Sequence, residues 1–300
     1  MQRMDTRFLE TFIMVCDCGS IAGAARRLNL TSAALSQRLR ALEDDLGHQL
    51  IVRAGRTVQP TEEGLAILEP ARSLIEFTRD LRAIAANGAP AGQLRLGATA
   101  TAMTGILPGV IANLSTAYPD LEYFVRPGSS VDLYDRLLEG ELDAAIIVKP
   151  SFALPKSVDW LTIRNEPLVL LAPHGVATDD LPALFARMRF IRYDRNQWGG
   201  QIVDSFLRSS GLVVHEWLEL DALDAIATMV DRGLGIAIVP DWGTPWPEGL
   251  RLSKTRLSDG ELRKTGVMWP RTGMRHAAVM ALVTSCTHFA RLDRPGFAGE

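Results

Sequence analysis

The 300-residue chain predicts an α/β protein in which a small helical module precedes a much larger region of alternating strands and helices. Three observations carry that prediction. Residues 20–46 have the spacing of two helices joined by a tight turn, residues 61–87 read as one long amphipathic helix, and residues from 92 onward alternate apolar strand-like runs with helical ones. A formal net charge of -3 rules out a uniformly basic surface, so any polyanion-binding face has to be local.

Residues 1–7 lead into an amphipathic helix rather than an uninterrupted apolar segment, and no apolar run reaches the roughly eighteen residues a membrane span needs. Neither export nor membrane insertion is expected, and the cytoplasm is the expected location. The next helix starts at Ser20, with Ala22, Ala25 and Leu28 as a small inner face and Arg26 and Arg27 outside, toward a phosphate backbone. After the turn Asn29-Leu30, Thr31 is a natural N-cap, and Leu35, Leu39, Leu42 and Leu46 form one buried stripe. The opposite row holds Ala33, Ser36, Gln37 and Arg40, side chains suited to base edges and phosphates in a major groove. An ordinary pair of surface helices would show the same periodicity.

Two short apolar runs, Leu50-Ile51-Val52 and Thr57-Val58, flank Gly55 and read as a hairpin. Arg56 at its tip and Arg53 at its base form a wing able to enter the electronegative minor groove, unless they are merely solvated. Between Ser20 and Gln59, Arg26, Arg27, Arg38, Arg40, Arg53 and Arg56 face only Glu43, Asp44 and Asp45, so positive charge concentrates here. The candidate DNA contacts are five of these six, Arg26, Arg27, Arg40, Arg53 and Arg56, with Thr31, Ser32, Ala33, Ser36, Gln37 and Thr61.

Thr61, followed by Glu62 and Glu63, opens the long helix. Ile67, Ala71, Leu74, Thr78, Leu81 and Ala85 recur at alternating four and three, the pattern of a coiled-coil seam, and Pro70 is expected to bend or loosen it. A stripe of this kind with no partner in view predicts homodimerisation. Asn87-Gly88-Ala89-Pro90-Ala91-Gly92 then marks the domain boundary.

Beyond it, strands are predicted at 94–97, 121–125 and 143–148, with helices at 106–118 and 131–139 between them, a parallel β-α-β-α-β lobe. A second series has strands at 167–172, 190–193, 216–220 and 236–240 and helices at 200–209 and 223–231, before a strand at 265–269 and a last helix from His276. Ligands of parallel sheets bind beyond the carboxyl ends of strands and between lobes. That rule selects Thr99, Ala100 and Thr101 at a strand-to-helix opening, where backbone N–H groups and hydroxyls can hold an anion or simply cap the helix. It also selects Ser129, Ser130 and Val148, and in the second series Arg195, Trp198 and Asp221. Asp221 and Asp224 add an acidic element suited to a zwitterion or an amine, although Asp221 also fits a helix cap.

Catalysis finds little support. There is no phosphate-binding Gly loop with its Lys and no Gly-x-Ser-x-Gly turn, and the five histidines, at 48, 174, 215, 276 and 288, are scattered. No enzyme, metal or cofactor is expected. Cys16 and Cys18 point in different directions on a helix and Cys286 is remote, so reduced thiols are expected, with redox sensing at Cys16 or Cys18 as the alternative function and an enzyme on a binding-protein fold as a remoter one.

Phe12, Gly19-Ser20, Ala24-Ala25-Arg26-Arg27-Leu28, Ala34-Leu35-Ser36, Leu42-Glu43-Asp44-Asp45-Leu46-Gly47 and Pro60-Thr61-Glu62-Glu63-Gly64 resemble the winged helix-turn-helix of LysR-type transcriptional regulators. Gly-Glu-Leu-Asp-Ala-Ala-Ile at 140–146, Leu-Val-Leu-Leu-Ala-Pro at 168–173 and Gly-Leu-Gly-Ile-Ala-Ile-Val-Pro at 233–240 extend the resemblance into the family's effector domain. The resemblance implies a winged helix-turn-helix at 1–60, a linker and dimerisation helix at 61–88 and a two-lobed, periplasmic-binding-protein-like α/β effector domain at 92–300. Lobe 1 would take about 92–165 and 265–300, and lobe 2 about 166–264. It further implies double-stranded promoter DNA, a small-molecule effector and RNA polymerase as partners, and a homodimer that in this family extends to tetramers. Ser32-Ala33 departs from the Gln-Pro or Gln-Ser common in the family, so the operator sequence does not carry over.

Overall fold

The computed structural model describes residues 5–54, 57–87, 90–257, 260, 262–273 and 275–293. It divides into two compact units, Met1–Gly88 and Ala89–Glu300.

In the first unit, α1 (Thr6–Cys18), α2 (Ile21–Arg27) and α3 (Ser32–Leu46) close around Leu9, Phe12, Val15, Ala24, Ala25, Leu35, Leu39 and Leu42. Each start is capped by a side chain that accepts a backbone N–H: Asp5 from Arg7, Ser20 from Gly23 and Thr31 from Ala34. Asn29 makes the tight turn in the left-handed region, φ 54°, which Asn tolerates better than branched residues do. One detail differs from the expected inner face of α2: Ala25 is buried as expected, but Ala22 is exposed and Ala24 is buried beside Ala25.

The hairpin is antiparallel, β1 (Ile51–Ala54) against β2 (Thr57–Pro60). Glu43 holds it to α3, its Oε1 accepting from the amides of Leu50 and Ile51. The helix α4 (Glu62–Asn87) runs unbroken through Pro70. Gly64 is required at its first turn, because a Cβ there would collide with the Leu50 carbonyl.

The second unit opens with β3 (Gly92–Ala98), α5 (Ala100–Gly105), α6 (Leu107–Ala117), β4 (Leu121–Pro127), α7 (Ser130–Leu138) and β5 (Ala144–Val148). β3 pairs in parallel with both β4 and β5, as expected for the first lobe. The chain continues through β6 (Val158–Pro173), α8 (Leu181–Arg187), β7 (Arg189–Tyr193), α9 (Trp198–Ser210), β8 (His215–Leu220), α10 (Leu223–Asp231), β9 (Ala237–Pro240) and β10 (Leu252–Arg256), and returns through β11 (Leu262–Pro270) to α11 (His276–Leu292).

The expected strand at 167–172 proves to be only the second half of β6, a single 16-residue strand. Its first half pairs with β11 beside β5, and from Leu168 onward it pairs with β9 and β10. Buried Arg164 and Glu166 interrupt the apolar pattern that marks a strand in sequence, and Pro167 sits where the strand changes partners. The neighbouring strand β10 and helix α8 were likewise not expected. β7 and β8 are parallel, and a bridge from Phe190 to Ile236 links them to β9.

Candidate DNA-reading helix and effector cavity

On the first unit, the buried leucine stripe of α3 leaves Ser32, Ala33, Gln37 and Arg40 exposed and Ser36 half-buried. Thr31 is exposed at the start of the helix, with Arg26 and Arg27 exposed on α2 and Arg53 on β1. None of these four arginines is held in an ion pair among the described residues, so their charge is available to a partner. Arg56, the expected wing tip, lies outside the described residues. Thr61 is occupied as a helix cap, its hydroxyl donating to the Gln49 carbonyl at 2.7 Å and accepting from the Gly64 amide at 3.0 Å.

The seam expected on α4 needs correction. Ala71 is buried in the core of its own unit beside Ile75, and Ile67 packs against the same core, because α4 lies along α1. Asp17 of α1 pairs with Arg72 of α4 at the edge of that contact. Thr78 is half-buried, and its hydroxyl returns to the Ile75 carbonyl. Leu74 and Leu81, seven residues apart, are the seam positions left exposed, and the side chain of Ala85 is outside the description.

In the second unit a cavity of about 660 Å³ opens at the carboxyl ends of β3, β4 and β5 and is closed from the other side by β7, α9, α10 and the segment after β9. Thr99, Ala100, Thr101, Ser129, Ser130, Val148, Trp198 and Asp221 all line it. Arg195 does not. Its side chain turns to the carboxylates of β8, donating from Nε to Glu219 at 3.0 Å and pairing with Glu216. An arginine so placed is satisfied by its own sheet.

The lobe 1 wall is neutral and rich in hydroxyls. Ser129 caps α7, and buried Ser130 accepts from the Val148 amide at 3.0 Å, which ties the helix start to the end of β5. Thr99 Oγ1 is buried with no hydrogen-bond partner. An orphan of this kind is costly unless a ligand or water satisfies it.

The floor was not anticipated. Arg263 on β11 is fully buried, donating from Nε to Glu166 at 2.5 Å and from Nη2 to Thr101 at 3.4 Å, while Thr265 also donates to Glu166 at 3.1 Å. Tyr193 lies between Arg263 and Asp221 and lines the cavity with both. Burial pushes the Tyr193 phenol up to about 12. Partial burial, then the neighbouring Asp194 carboxylate, push Asp221 up to about 6 against the opposing pull of Arg263 and Tyr193.

Aromatic rings form the rest of the wall. Trp198 lines the cavity and makes edge contacts with Tyr134 at 5.5 Å and Phe152 at 5.7 Å, so it is both cavity wall and packing. Gly199 lets α9 start against β7, since a Cβ would meet the Tyr193 ring at 2.6 Å. Trp242 and Trp246 are stacked with centroids 3.9 Å apart. The cluster Trp242-Gly243-Thr244-Pro245-Trp246-Pro247 was a visible sequence signal for this wall, whereas nothing in the sequence singles out Arg263.

The cysteines give redox sensing little support. Cys16 packs on the first unit's core, and burial with the adjacent Asp17 pushes its thiol up to about 11, suppressing the reactive thiolate. Cys18 packs on the same core, and Cys286 is buried and pushed up to about 12.

A helix-turn-helix with its reading face open, in one chain with a two-lobed α/β domain around a cavity, defines a ligand-responsive DNA-binding regulator. Comparison with known families makes this specific. Residues 6–65 match the bacterial regulatory helix-turn-helix protein, lysR family, and residues 87–291 match the LysR substrate binding domain. The chain belongs to the LysR-type transcriptional regulators. It is 28% identical over 246 residues to the transcriptional activator IlvY of Salmonella typhimurium, covering 79% of this chain and 83% of IlvY. It is 25% identical to the nitrogen assimilation regulatory protein nac of Klebsiella aerogenes, covering 79% of each. Among solved structures it resembles a mutant of OxyR from Corynebacterium glutamicum, with a TM-score of 0.65 and 24% identity over 97% of this chain and 96% of that one. It also resembles CbnR in complex with its target DNA, with a TM-score of 0.64 and 20% identity over 95% of this chain and 100% of that one. These two likenesses concern the fold.

Proposed function

We propose that this protein is a cytoplasmic, sequence-specific regulator that reads promoter DNA through α3 and is controlled by a small carboxylate-bearing or amino-acid-like effector held between its two lobes. The observation that carries this reading is the cavity itself, which brings the hydroxyls of Thr99, Thr101 and Ser129 opposite Asp221 over a floor of buried Arg263. On the DNA side, Gln37, with Ser36 and Ser32, is assigned to base edges. Arg26, Arg27, Arg40 and Arg53 are assigned to phosphates, and Thr31 and Ala33 to the contact surface around them. The protein acts as a homodimer or a tetramer. An effector that favours one lobe or subunit arrangement shifts the population and with it the DNA bend and the contact with RNA polymerase.

The test is fluorescence anisotropy with the intergenic DNA upstream of the protein's own gene against scrambled DNA of equal length, at two salt concentrations. Tighter binding to the native fragment that persists at higher salt is expected. Gln37→Ala is expected to cost about 1–3 kcal/mol at the specific site, whereas Arg40→Ala weakens both DNAs and lowers the salt slope. Equal loss on both DNAs from Gln37→Ala would remove the base-reading assignment.

A further inference from the structure

The cations around the cavity are already matched within the chain. Arg263 is paired with Glu166, Arg164 with Asp293, and Lys254 with Asp241 at 2.6 Å. Two carboxylates on the lobe 2 side, Asp221 and Asp224, line the cavity without an ion pair among the described residues. Asp221 stands at the cavity wall beside Tyr193, which is only 5% exposed. A carboxylate at a cavity wall that is not held in an ion pair is a receptor for a cation.

The opposite wall has the converse character. Thr101 and Ser129 line it with hydroxyls, the Thr99 oxygen beside them is buried without a partner, and the nine-residue helix α7 begins there. A ligand carboxylate would find donors and a helix N-terminus on that side. The third surface is apolar and flat, formed by Trp246 stacked on Trp242 and backed by Lys254 at 4.3 Å from the Trp246 ring.

Resting on the reading of this cavity as the effector site, we propose that the effector is an amino-acid-like zwitterion with an apolar planar body. Its ammonium group is anchored by Asp221, its carboxylate by the Thr99 and Ser129 side, and its body by Trp246. Such a molecule spans the two lobes with opposite charges. It binds the closed arrangement better than the open one, as a population-shifting ligand must.

The experiment is a titration of the full-length protein, followed by its tryptophan fluorescence and by calorimetry, with three probes that share one phenyl body: phenylalanine, 3-phenylpropionate and phenethylamine. Phenylalanine is expected to bind about tenfold tighter than either single-charge probe. Asp221→Asn is expected to weaken phenylalanine and phenethylamine by about tenfold while leaving 3-phenylpropionate within about twofold. Ala100→Trp, which fills the cavity, is expected to abolish binding of all three. Equal affinity for phenylalanine and 3-phenylpropionate, indifference to Asp221→Asn, or no binding by any probe would each overturn the zwitterion assignment. Loss of binding in Ala100→Trp without sensitivity to Asp221→Asn overturns the zwitterion assignment and leaves the cavity reading standing. Binding that survives Ala100→Trp places the ligand elsewhere and removes the cavity reading as well.

Discussion

Asp221 shows how much a single residue's surroundings decide. Its carboxyl faces Tyr193 and Asp194 from the end of β7, and Arg263 with Glu166 behind it from β11 and β6. With its folded pKa raised to about 6, above the ordinary value of 3.8, the protonated form is favoured in the folded state. The resulting contribution to stability is present below the ordinary value and is lost as pH rises through about 6. Melting temperature measured from pH 4 to pH 7 should therefore contain a downward component that Asp221→Asn removes; a slope identical in the variant would mean that Asp221 does not titrate there. Sequence reasoning placed Asp221 at the cavity from its position after β8, yet it assigned Arg195 to the same place. Both follow strand ends and look alike in sequence. Only the fold shows that Glu216 and Glu219 lie within reach of Arg195 and leave it nothing to offer a ligand.

At the scale of elements, α4 carries two apolar faces that a heptad reading merges into one. Ala71 and Ile75 lie within the core of the first unit, while Leu74 and Leu81 stay exposed, at 40% and 49% of their surface. The physical cause is that α1 supplies a partner for the first half of the helix, so the alternating four and three spacing serves intramolecular packing before it serves pairing. Leu81→Glu is expected to shift the assembly toward monomer in sedimentation with the melting temperature of the fold little changed. Ala71→Glu buries an unpaired charge and is expected to unfold the unit, which circular dichroism would show. A Leu81→Glu protein that keeps its oligomeric state would place the subunit contact elsewhere.

In the effector unit, β6 and β11 are the strands that carry the chain across, and the ion pair of Glu166 with Arg263 joins them at 2.5 Å with almost no solvent access. Removing one partner leaves a buried charge uncompensated. Glu166→Ala is expected to lower stability by about 3–5 kcal/mol in urea denaturation, and Glu166→Gln, which keeps an acceptor for Arg263 and Thr265, by less. If Glu166→Ala were neutral, the crossing would be held by the strand pairing alone.

The sequence by itself determined the helices of the first unit, the open face of α3, the parallel first lobe and eight of the nine residues placed at the cavity, because each rests on local spacing, on caps, or on the rule that ligands gather at strand ends. Tertiary structure alone decided the rest. It joined the two halves of β6, supplied the floor of Arg263, Glu166 and Tyr193, turned Arg195 away, and gave Ala71 to its own core. Each of these depends on partners brought together from distant parts of the chain, such as Arg263 and Glu166, 97 residues apart, and no periodicity within a single segment encodes such a meeting.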